Sequence, residues 1–189
     1  MDARFLAAAP SLDHLPAPSL NEVAVVGRSN CGKSSLINAV TGKSKLARTS
    51  STPGRTRQIV FFVVEPDAGE PFHLVDLPGY GYARVSKSEQ RGWATLVNGY
   101  IEHRPTLRGM LLLCDIRREL AQEEHDLMRW AGSRGLQVQL VLTKADKLNK
   151  TQRFAAARRS QGLQPPPAVV SVHEAESVAR VREALLRMP

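Results

Sequence analysis

The sequence has 189 residues, of which 26 are Lys or Arg and 18 are Asp or Glu, so its formal net charge at pH 7 is +8. Hydrophobic residues make up 42% and charged residues 23%, which suits a folded domain and excludes a disordered or collagen-like chain. The longest apolar runs, such as residues 110–114, are far too short to cross a bilayer. We therefore expect one domain without membrane insertion.

The N-terminal segment predicts an arm and not an export signal. Its apolar patch is short and no cluster of positive charge precedes it, which argues against a secretory signal and for a cytoplasmic protein. Pro10, Pro16 and Pro18 predict that residues 1–20 form a mostly irregular arm, followed by a single domain over residues 21–189.

The positive charge is unevenly distributed along the chain. Residues 43–57 contain five cations and no acid, and residues 144–189 contain nine cations and four acids. A local excess of this kind favours a contact surface for a polyanion, and RNA is the abundant polyanion of a bacterial or organellar cytosol. Charge that only keeps the protein soluble is the alternative explanation.

Strand-like and helix-like segments alternate along the chain. In order, the predicted elements are a strand over 23–26, a helix over 33–40, strands over 58–65 and 71–76, a helix over 87–102, a strand over 109–115, a helix over 121–133, a strand over 137–143, a helix over 151–160, a strand over 168–171 and a helix over 175–188. The turn-rich link over residues 66–69 predicts an antiparallel hairpin. Because helices that join parallel strands need right-handed crossovers, we expect a three-layer α/β fold. Its six-stranded sheet should be mostly parallel, with one antiparallel strand.

The segment after the first strand fits the phosphate-loop pattern G-x-x-x-x-G-K-[ST]. Gly27 and Gly32 let the backbone curl so that successive N–H groups face a phosphate at the positive end of the following helix. Lys33 supplies charge to the β- and γ-phosphates, and Ser34 offers a hydroxyl to Mg²⁺. A Gly-rich turn with an exposed lysine is the alternative. The predicted triphosphate contacts are Gly27, Arg28, Ser29, Asn30, Cys31, Gly32, Lys33 and Ser34.

A second motif, Asp76-Leu77-Pro78-Gly79, ends an apolar strand. A carboxylate in that position can hold Mg²⁺ through water, and the Gly79 N–H can contact the γ-phosphate. An ordinary turn would explain the tetrapeptide if it stood alone. The phosphate loop before it favours the nucleotide-binding interpretation.

The third motif, Thr143-Lys144-Ala145-Asp146, also follows a strand and indicates guanine. One carboxylate can accept both the ring N–H and the exocyclic amine of guanine, a donor pair that adenine lacks. The Lys144 stem can cover the purine while its ammonium reaches back to the phosphate loop. A helix start capped by Asp146 is the alternative. Together the motifs predict GTP.

In this order the motifs resemble those of a translation-factor-type GTPase. The strings GRSNCGKSS (27–35), ARTSSTPGRT (47–56) and VDLPGYGYA (75–83) closely resemble the EngB-type ribosome-biogenesis GTPases, which share a superfamily with Era and the tRNA-modification GTPases. The resemblance covers nearly the whole chain and implies a P-loop NTPase with a Ras-like G domain. It also implies a GTP/GDP switch that acts on ribosomal particles or rRNA, with the large subunit as the expected partner. Needs in cell division and septation would then be indirect.

The resemblance also implies roles for residues outside the three motifs. Thr56 would join Mg²⁺ when the γ-phosphate is present and would share catalysis with Lys33 and Gly79, while Thr49 and Thr52 are weaker candidates for the metal. Further triphosphate contacts would be Gly54, Arg55, Thr56, Arg57 and Gln58. A loop whose main chain contacts the guanine oxygen falls on Ser171, Val172 and His173, where the family has a Ser-Ala-Lys-like sequence. The basic surface for the partner would extend to Arg84, Lys87 and Arg91.

Tyr80 follows the second motif where Ras-type enzymes have the glutamine that orients the attacking water. Without that amide we expect slow unaided GTP hydrolysis. Two sources could supply the missing charge, K⁺ held by Asn30 or the guanidinium of Arg55. Related GTPases with asparagine at the position of Asn30 use it to hold K⁺, and Arg55 is the rival as a cis arginine.

The remaining polar residues carry no predicted chemistry. Cys31 and Cys114 lack the spacing of a zinc site or a disulfide framework. The other histidines, His14, His73, His103 and His125, are expected to be structural or surface residues. The acids of the 121–133 helix region, Glu119, Glu123, Glu124 and Asp126, are expected to form a solvated face.

Two other functions stay open. The chain could be a small GTPase that acts only through protein partners, although it shows no lipid-anchor motif. It could also be an RNA-binding assembly module whose nucleotide is structural and never turns over. We further expect a monomer that does not recognise DNA sequence.

Overall fold

The computed structural model describes residues 1–48, 58–80, 87–160 and 162–188, and within the helix that starts at Lys87 it leaves the side chains of residues 87–91, 93 and 94 undescribed. The strands are β1 (Asp2–Ala9), β2 (Glu22–Gly27), β3 (Ile59–Glu65), β4 (Phe72–Asp76), β5 (Leu107–Asp115), β6 (Gln137–Thr143) and β7 (Ala168–Val169). The helices are α1 (Lys33–Thr41), α2 (Lys87–His103), α3 (Gln122–Ser133), α4 (Lys150–Arg158) and α5 (Ala175–Leu186), with short 3₁₀ turns at Leu12–His14 and Ala145–Lys147.

The strands form one sheet in the order β1-β3-β4-β2-β5-β6-β7. β3 is antiparallel to both of its neighbours, and the other neighbouring pairs are parallel. The predicted α/β class, the hairpin between β3 and β4 and the single antiparallel strand are therefore confirmed. The expected strand count is wrong, because the described residues already form a sheet of seven strands and not six.

The additional strand is β1, at one edge of the sheet. Its residues pair with β3 from Asp2 opposite Glu65 to Ala9 opposite Ile59, with an irregularity between Phe5 and Ala7. The expectation of a mostly irregular arm over residues 1–20 is thus wrong for residues 2–9. An alanine-rich segment shows little strand pattern of its own, and here the register comes from hydrogen bonds to β3.

Helices cover both faces of the sheet, as a three-layer fold requires. Alternate residues of the central strands point to opposite faces, so Val23 and Val25 join one apolar cluster while Ala24 and Val26 join the other. α1 and α5 contribute to the first cluster with Leu36, Ile37, Val40, Val178, Val181 and Leu185. α2, α3 and α4 contribute to the second with Val97, Tyr100, Ile101, Ala131 and Ala156. No helix in the described ranges is both long and apolar enough to span a membrane.

A buried ionic cluster lies at the amino-terminal ends of β2, β4 and β5. The carboxylate of Glu22, fully buried, accepts hydrogen bonds from Arg104 at 2.6 Å, Tyr100 at 2.6 Å and Thr106 at 2.8 Å. The ring of His73, also buried as a structural residue, lies 3.7 Å from the same carboxylate. Burial alone would raise the pKa of Glu22, but these neighbours outweigh it and lower the pKa from 4.5 to about 2.

We predict that Glu22→Gln lowers the free energy of unfolding at pH 7 by about 3–5 kcal/mol, because it leaves the buried Arg104 guanidinium without a counter-charge. The pKa of Glu22 is lower in the folded than in the unfolded chain, so its stabilisation is present above pH 4.5 and is lost as the pH falls towards about 2. Urea unfolding across that range should show a weaker acid dependence in the variant.

Glu65→Gln is the matched control, because Glu65 pairs with Arg4 at the surface. It should cost less than about 1 kcal/mol. Equal losses for the two variants would contradict the importance of the buried cluster.

Candidate nucleotide-binding site

The predicted motifs meet at one edge of the sheet. β2 ends at Gly27, β4 at Asp76 and β6 at Thr143, and these strands are parallel. The carboxyl ends of parallel strands share one side, which is where α/β sheets bind ligands. The structure therefore brings together three segments that lie far apart in the sequence.

Local backbone geometry explains the glycines of the phosphate loop. A Cβ on Gly27 would lie 2.6 Å from both the Cys31 sulfur and the main-chain oxygen of Leu113. Gly32 has φ of 103° at the N-cap of α1, and Asn30 has φ of 62° two residues earlier. These left-handed residues turn the loop sharply into the amino-terminal end of α1, a geometry suited to binding anions.

The Asp76–Gly79 segment contacts the phosphate loop directly. A Cβ on Gly79 would lie only 3.0 Å from the Lys33 ammonium and from the Ser29 hydroxyl, so a larger residue would crowd both groups. The main-chain N–H of Ser29 donates to the Tyr80 oxygen at 2.9 Å, and the Tyr80 N–H donates to the Gly27 oxygen at 3.3 Å. The two motifs form one connected surface around the Lys33 charge.

Asp76 has the environment expected of a residue that faces a bound cation. Its side chain is buried, and Oδ1 has no hydrogen-bond partner among the described residues. Burial raises its pKa to about 6, an effect partly offset by the positive charge of Lys33. A buried carboxylate oxygen without a donor is costly, and a hydrated divalent cation would supply one.

These residues fit magnesium. Asp76 through water and the half-buried Ser34 hydroxyl would hold the ion, together with phosphate oxygens, and the ion would neutralise phosphate charge there. In the described ranges no three His, Cys, Asp or Glu side chains cluster as a metal site. Thr56, the other predicted ligand, lies outside the described residues.

The Thr143–Asp146 motif is tied to the phosphate loop by two side chains. The Lys144 ammonium donates to the Asn30 main-chain oxygen at 2.6 Å, which confirms its predicted reach. The Thr143 hydroxyl donates to the Cys31 oxygen at 2.6 Å. Lys144 itself has φ of 59°, a left-handed conformation that is uncommon outside glycine, asparagine and aspartate.

Asp115 was missed in the sequence analysis. It ends β5 beside the motif, and its carboxylate lies 3.2 Å from the Lys144 ammonium and 2.6 Å from the Arg117 guanidinium. Burial opposes its ionisation, but these two cations hold its pKa at about 2. An acid at the carboxyl end of a central parallel strand is the signal that could have identified it.

Asp146 lies beside the predicted Ser171–His173 loop. Its carboxylate accepts from the Ser171 hydroxyl at 3.3 Å and lies 3.1 Å from the Lys147 ammonium. Burial acts against ionisation, yet Lys147 and Ser171 keep its pKa below the usual value. Asp146 is therefore an ionised acceptor, as recognition of two guanine N–H groups requires.

The main-chain donors of the same loop are not equivalent. The Ser171 N–H donates to the Ser177 hydroxyl at 3.1 Å, and the His173 N–H donates to the Ser171 hydroxyl at 3.2 Å. In the described part of the chain, the Val172 N–H has no such acceptor. Of the three predicted residues, Val172 is the one with a main-chain donor available for a base.

Tyr80 is fixed inside the protein. Its side chain is buried, and its hydroxyl donates to Glu124 of α3 at 2.7 Å. The expectation that Glu124 lies on a solvated face is wrong, because this carboxylate is 1% exposed and also accepts from the Ala121 N–H at 2.7 Å. Glu124 lies in the first turn of α3, and its carboxylate points towards the core and accepts a hydrogen bond from the free main-chain N–H of the N-cap residue. Burial, followed by the hydrogen bond to Glu124 and the charge of that carboxylate, raises the pKa of Tyr80.

Several predicted residues lie outside the described part of the chain. These are Thr49, Thr52, Gly54, Arg55, Thr56, Arg57 and Arg84, together with the side chains of Lys87 and Arg91. Gln58 is described and lies exposed immediately before β3. Among the acids of the α3 region, Glu119, Glu123 and Asp126 are exposed as expected, and Glu123 lies 3.4 Å from Arg28.

The family described as "50S ribosome-binding GTPase" matches residues 22–144. The probable GTP-binding protein EngB of Solibacter usitatus is 45% identical over 169 residues, which cover 88% of this chain and 86% of that protein. The protein of the same name from Xylella fastidiosa strain 9a5c is 46% identical over 151 residues, covering 80% of this chain and 72% of its own length.

A solved structure shows the same fold. The crystal structure of a probable GTP-binding protein engB superposes with a TM-score of 0.64 at 21% sequence identity, covering 88% of this chain and 97% of that chain. The relatives and the matched family agree with the geometry of the three motifs. The chain therefore belongs to the EngB family of GTP-binding proteins, and it binds GTP and hydrolyses it as a GTPase.

Proposed function

We propose that this GTPase is a slow, nucleotide-dependent switch in assembly of the large ribosomal subunit, acting in the cytoplasm as a monomer. The observation that carries the proposal is the direct hydrogen bonding between the phosphate loop and the Asp76–Tyr80 segment. Because the two segments are connected, the loss of the γ-phosphate would change the contacts of both. The matched family's description as ribosome-binding and the net charge of +8 support an RNA-bearing partner. Effects on cell division and septation would follow from ribosome supply.

The proposed residue roles follow from the site geometry and the family resemblance. Lys33 and magnesium neutralise the phosphates, Ser34 and Thr56 ligate the ion, and Asp76 holds it through water. The Gly79 N–H contacts the γ-phosphate, Asp146 binds the guanine N–H pair, and the loop at Val172 contacts the guanine oxygen. The remaining predicted nucleotide contacts are Gly27 to Gly32, Gly54 to Gln58, Leu77, Pro78, Thr143 to Ala145, Ser171 and His173.

Slow hydrolysis is supported by the position of Tyr80. Its hydroxyl donates to buried Glu124, so its side chain is held in the core and not over a γ-phosphate. No amide is supplied at this position to orient water, and unaided phosphoryl transfer loses one of its main contributions. A long-lived GTP state suits a protein that reports its state to a slower assembly step.

Potassium is the proposed source of the missing charge. The exposed side chain of Asn30 lies on the phosphate loop, and its main chain is fixed by the contact with Lys144. We predict that hydrolysis is faster in KCl than in NaCl at equal ionic strength by about tenfold or more, because K⁺ would stabilise transition-state charge.

The variant Asn30→Gly should lose that difference, since glycine keeps the left-handed backbone but removes the side-chain oxygen. Phosphate release under single turnover is the measurement. Equal wild-type rates in the two salts would reject K⁺ and favour Arg55 or the partner as the source of charge.

Guanine selection is predicted to depend on Asp146. Asp146→Asn should weaken GTP binding by about 100-fold or more, because it removes a charged acceptor of two hydrogen bonds, and should improve binding of xanthosine triphosphate. Calorimetric titration of both nucleotides measures the exchange. Lys147→Ala, which removes the neighbouring cation and keeps the carboxylate, should retain the preference for GTP. Unchanged GTP affinity in Asp146→Asn would mean that the base binds elsewhere.

The switch itself is tested by sedimentation with purified 50S particles. We predict that wild-type protein binds the particles with a non-hydrolysable GTP analogue and binds at least about tenfold more weakly with GDP, since γ-phosphate contacts order the partner surface. Equal binding in both states would contradict the switch and favour an RNA-binding module with a structural nucleotide. Absence of binding in both states would contradict the ribosomal partner and favour a GTPase that acts through other proteins.

A further inference from the structure

The chain contains a long acid-free segment that the nucleotide site does not explain. Between Lys147 and His173 the sequence has no Asp or Glu but has five Lys or Arg residues. Most of this segment is α4 and the turns on either side of it. The cations in this segment are Lys147, Lys150, Arg153, Arg158 and Arg159.

These five cations divide into two groups. Lys147 lies 3.1 Å from Asp146, and Arg153 lies 2.8 Å from Glu174, so both support the base-binding loops. Lys150, Arg158 and Arg159 are exposed and form no ion pair with any residue that the structure describes. Their positive charge is therefore open to a partner.

The next helix along the chain, α5, shows the opposite arrangement. Its exposed Arg180 lies 3.0 Å from Glu176, and Arg187 lies 4.0 Å from Glu183. Those cations are balanced along their own helix, as is usual on a solvated face. The open cations of α4 thus differ from the exposed, paired cations Arg180 and Arg187.

An aromatic side chain lies between the open charges. Phe154 is 66% exposed although it could have been placed towards the core, where α4 packs Ala156. Lys150, Phe154 and Arg158 are four residues apart and share one face of the helix. The Arg158 guanidinium lies 5.8 Å from the Phe154 ring centre, within the range of a cation–π interaction.

We propose that this face of α4, defined by Lys150, Phe154 and Arg158, binds single-stranded RNA. Phe154 would stack on an unpaired base, and the two cations would contact the phosphates on either side. The face is about 12 Å long at about 1.5 Å per helical residue, which spans three or four stacked nucleotides at about 3.4 Å each.

The chemistry of the face favours RNA over other anionic partners. A membrane-binding helix needs a broad apolar face, whereas α4 exposes one large apolar side chain among alanines and polar residues. One aromatic ring flanked by two open cations matches a base with its two phosphates. The inference takes ribosomal RNA as the natural source and in that respect rests on the proposed function.

The test uses full-length protein with GDP bound and a fluorescently labelled single-stranded oligoribonucleotide of mixed sequence. Phe154→Ala should weaken binding between about 5-fold and 100-fold without changing its salt dependence, since stacking carries no charge. Phe154→Trp should retain binding. Arg158→Ala should lower the slope of log affinity against log salt by about 0.7, the value for one phosphate contact on a single strand.

Arg180→Ala is the matched control, because it removes the same charge from an exposed position that is already paired with Glu176. It should change neither affinity nor salt slope appreciably. GDP affinity and the thermal midpoint should stay at wild-type values in every variant, because the altered side chains are exposed.

Three results would overturn the proposal. In the first, Phe154→Ala binds the oligoribonucleotide as tightly as wild type. In the second, Arg180→Ala weakens binding as much as Arg158→Ala. In the third, the face is required for binding to anionic phosphatidylglycerol vesicles and not for binding to RNA. If wild type does not bind 50S particles but binds the oligoribonucleotide and needs the α4 face to do so, the proposed ribosomal role alone is rejected. If Phe154→Ala and Arg158→Ala bind both the 50S particle and the oligoribonucleotide like wild type, and 50S binding still depends on the nucleotide, the α4 proposal alone is rejected.

Discussion

The contact of the Lys144 ammonium with the Asn30 oxygen, at 2.6 Å, is the interaction on which the site depends. It joins the loop that follows β6 to the loop that follows β2, across the intervening strand β5. Asp115, at the end of β5, lies 3.2 Å from the same ammonium and orients it. Base recognition and phosphate binding are therefore built at a fixed separation, so a ligand must have both parts to fill the site.

The phosphate side of the site combines favourable and unfavourable electrostatic interactions. Asp76 is buried with an unpaired oxygen and has a pKa raised to about 6, while Lys33 stands close by without removing that cost. A fold that buries such a carboxylate is stabilised when a cation and a polyphosphate arrive together. Tyr80, in contrast, makes a favourable contact. Its hydroxyl donates a hydrogen bond to Glu124, which fixes the segment after Gly79 to α3.

The sequence predicted what local chemistry dictates and missed what depends on distant pairing. Phosphate loops need glycine and lysine at set spacings, so Gly27, Gly32 and Lys33 could be identified without a structure, and short apolar segments between helix-like segments indicated β2 to β7. β1 could not be found because its alanine-rich sequence takes its register from β3. Asp115 and Glu124 were missed for a related reason, since an acid at a strand end or helix start shows its partner only after the chain has folded.

The edge formed by β1 also affects how the protein behaves at high concentration. β3 is an apolar strand, IVFFVVE, and without a neighbour its open backbone would be a template for other chains. β1 occupies that backbone with four alanines, a break in register after Phe5 and charged residues near its start. By pairing with β3, this outer strand occupies the backbone of an apolar segment that would otherwise be open to other chains, and it leaves an irregular strand as the edge of the sheet.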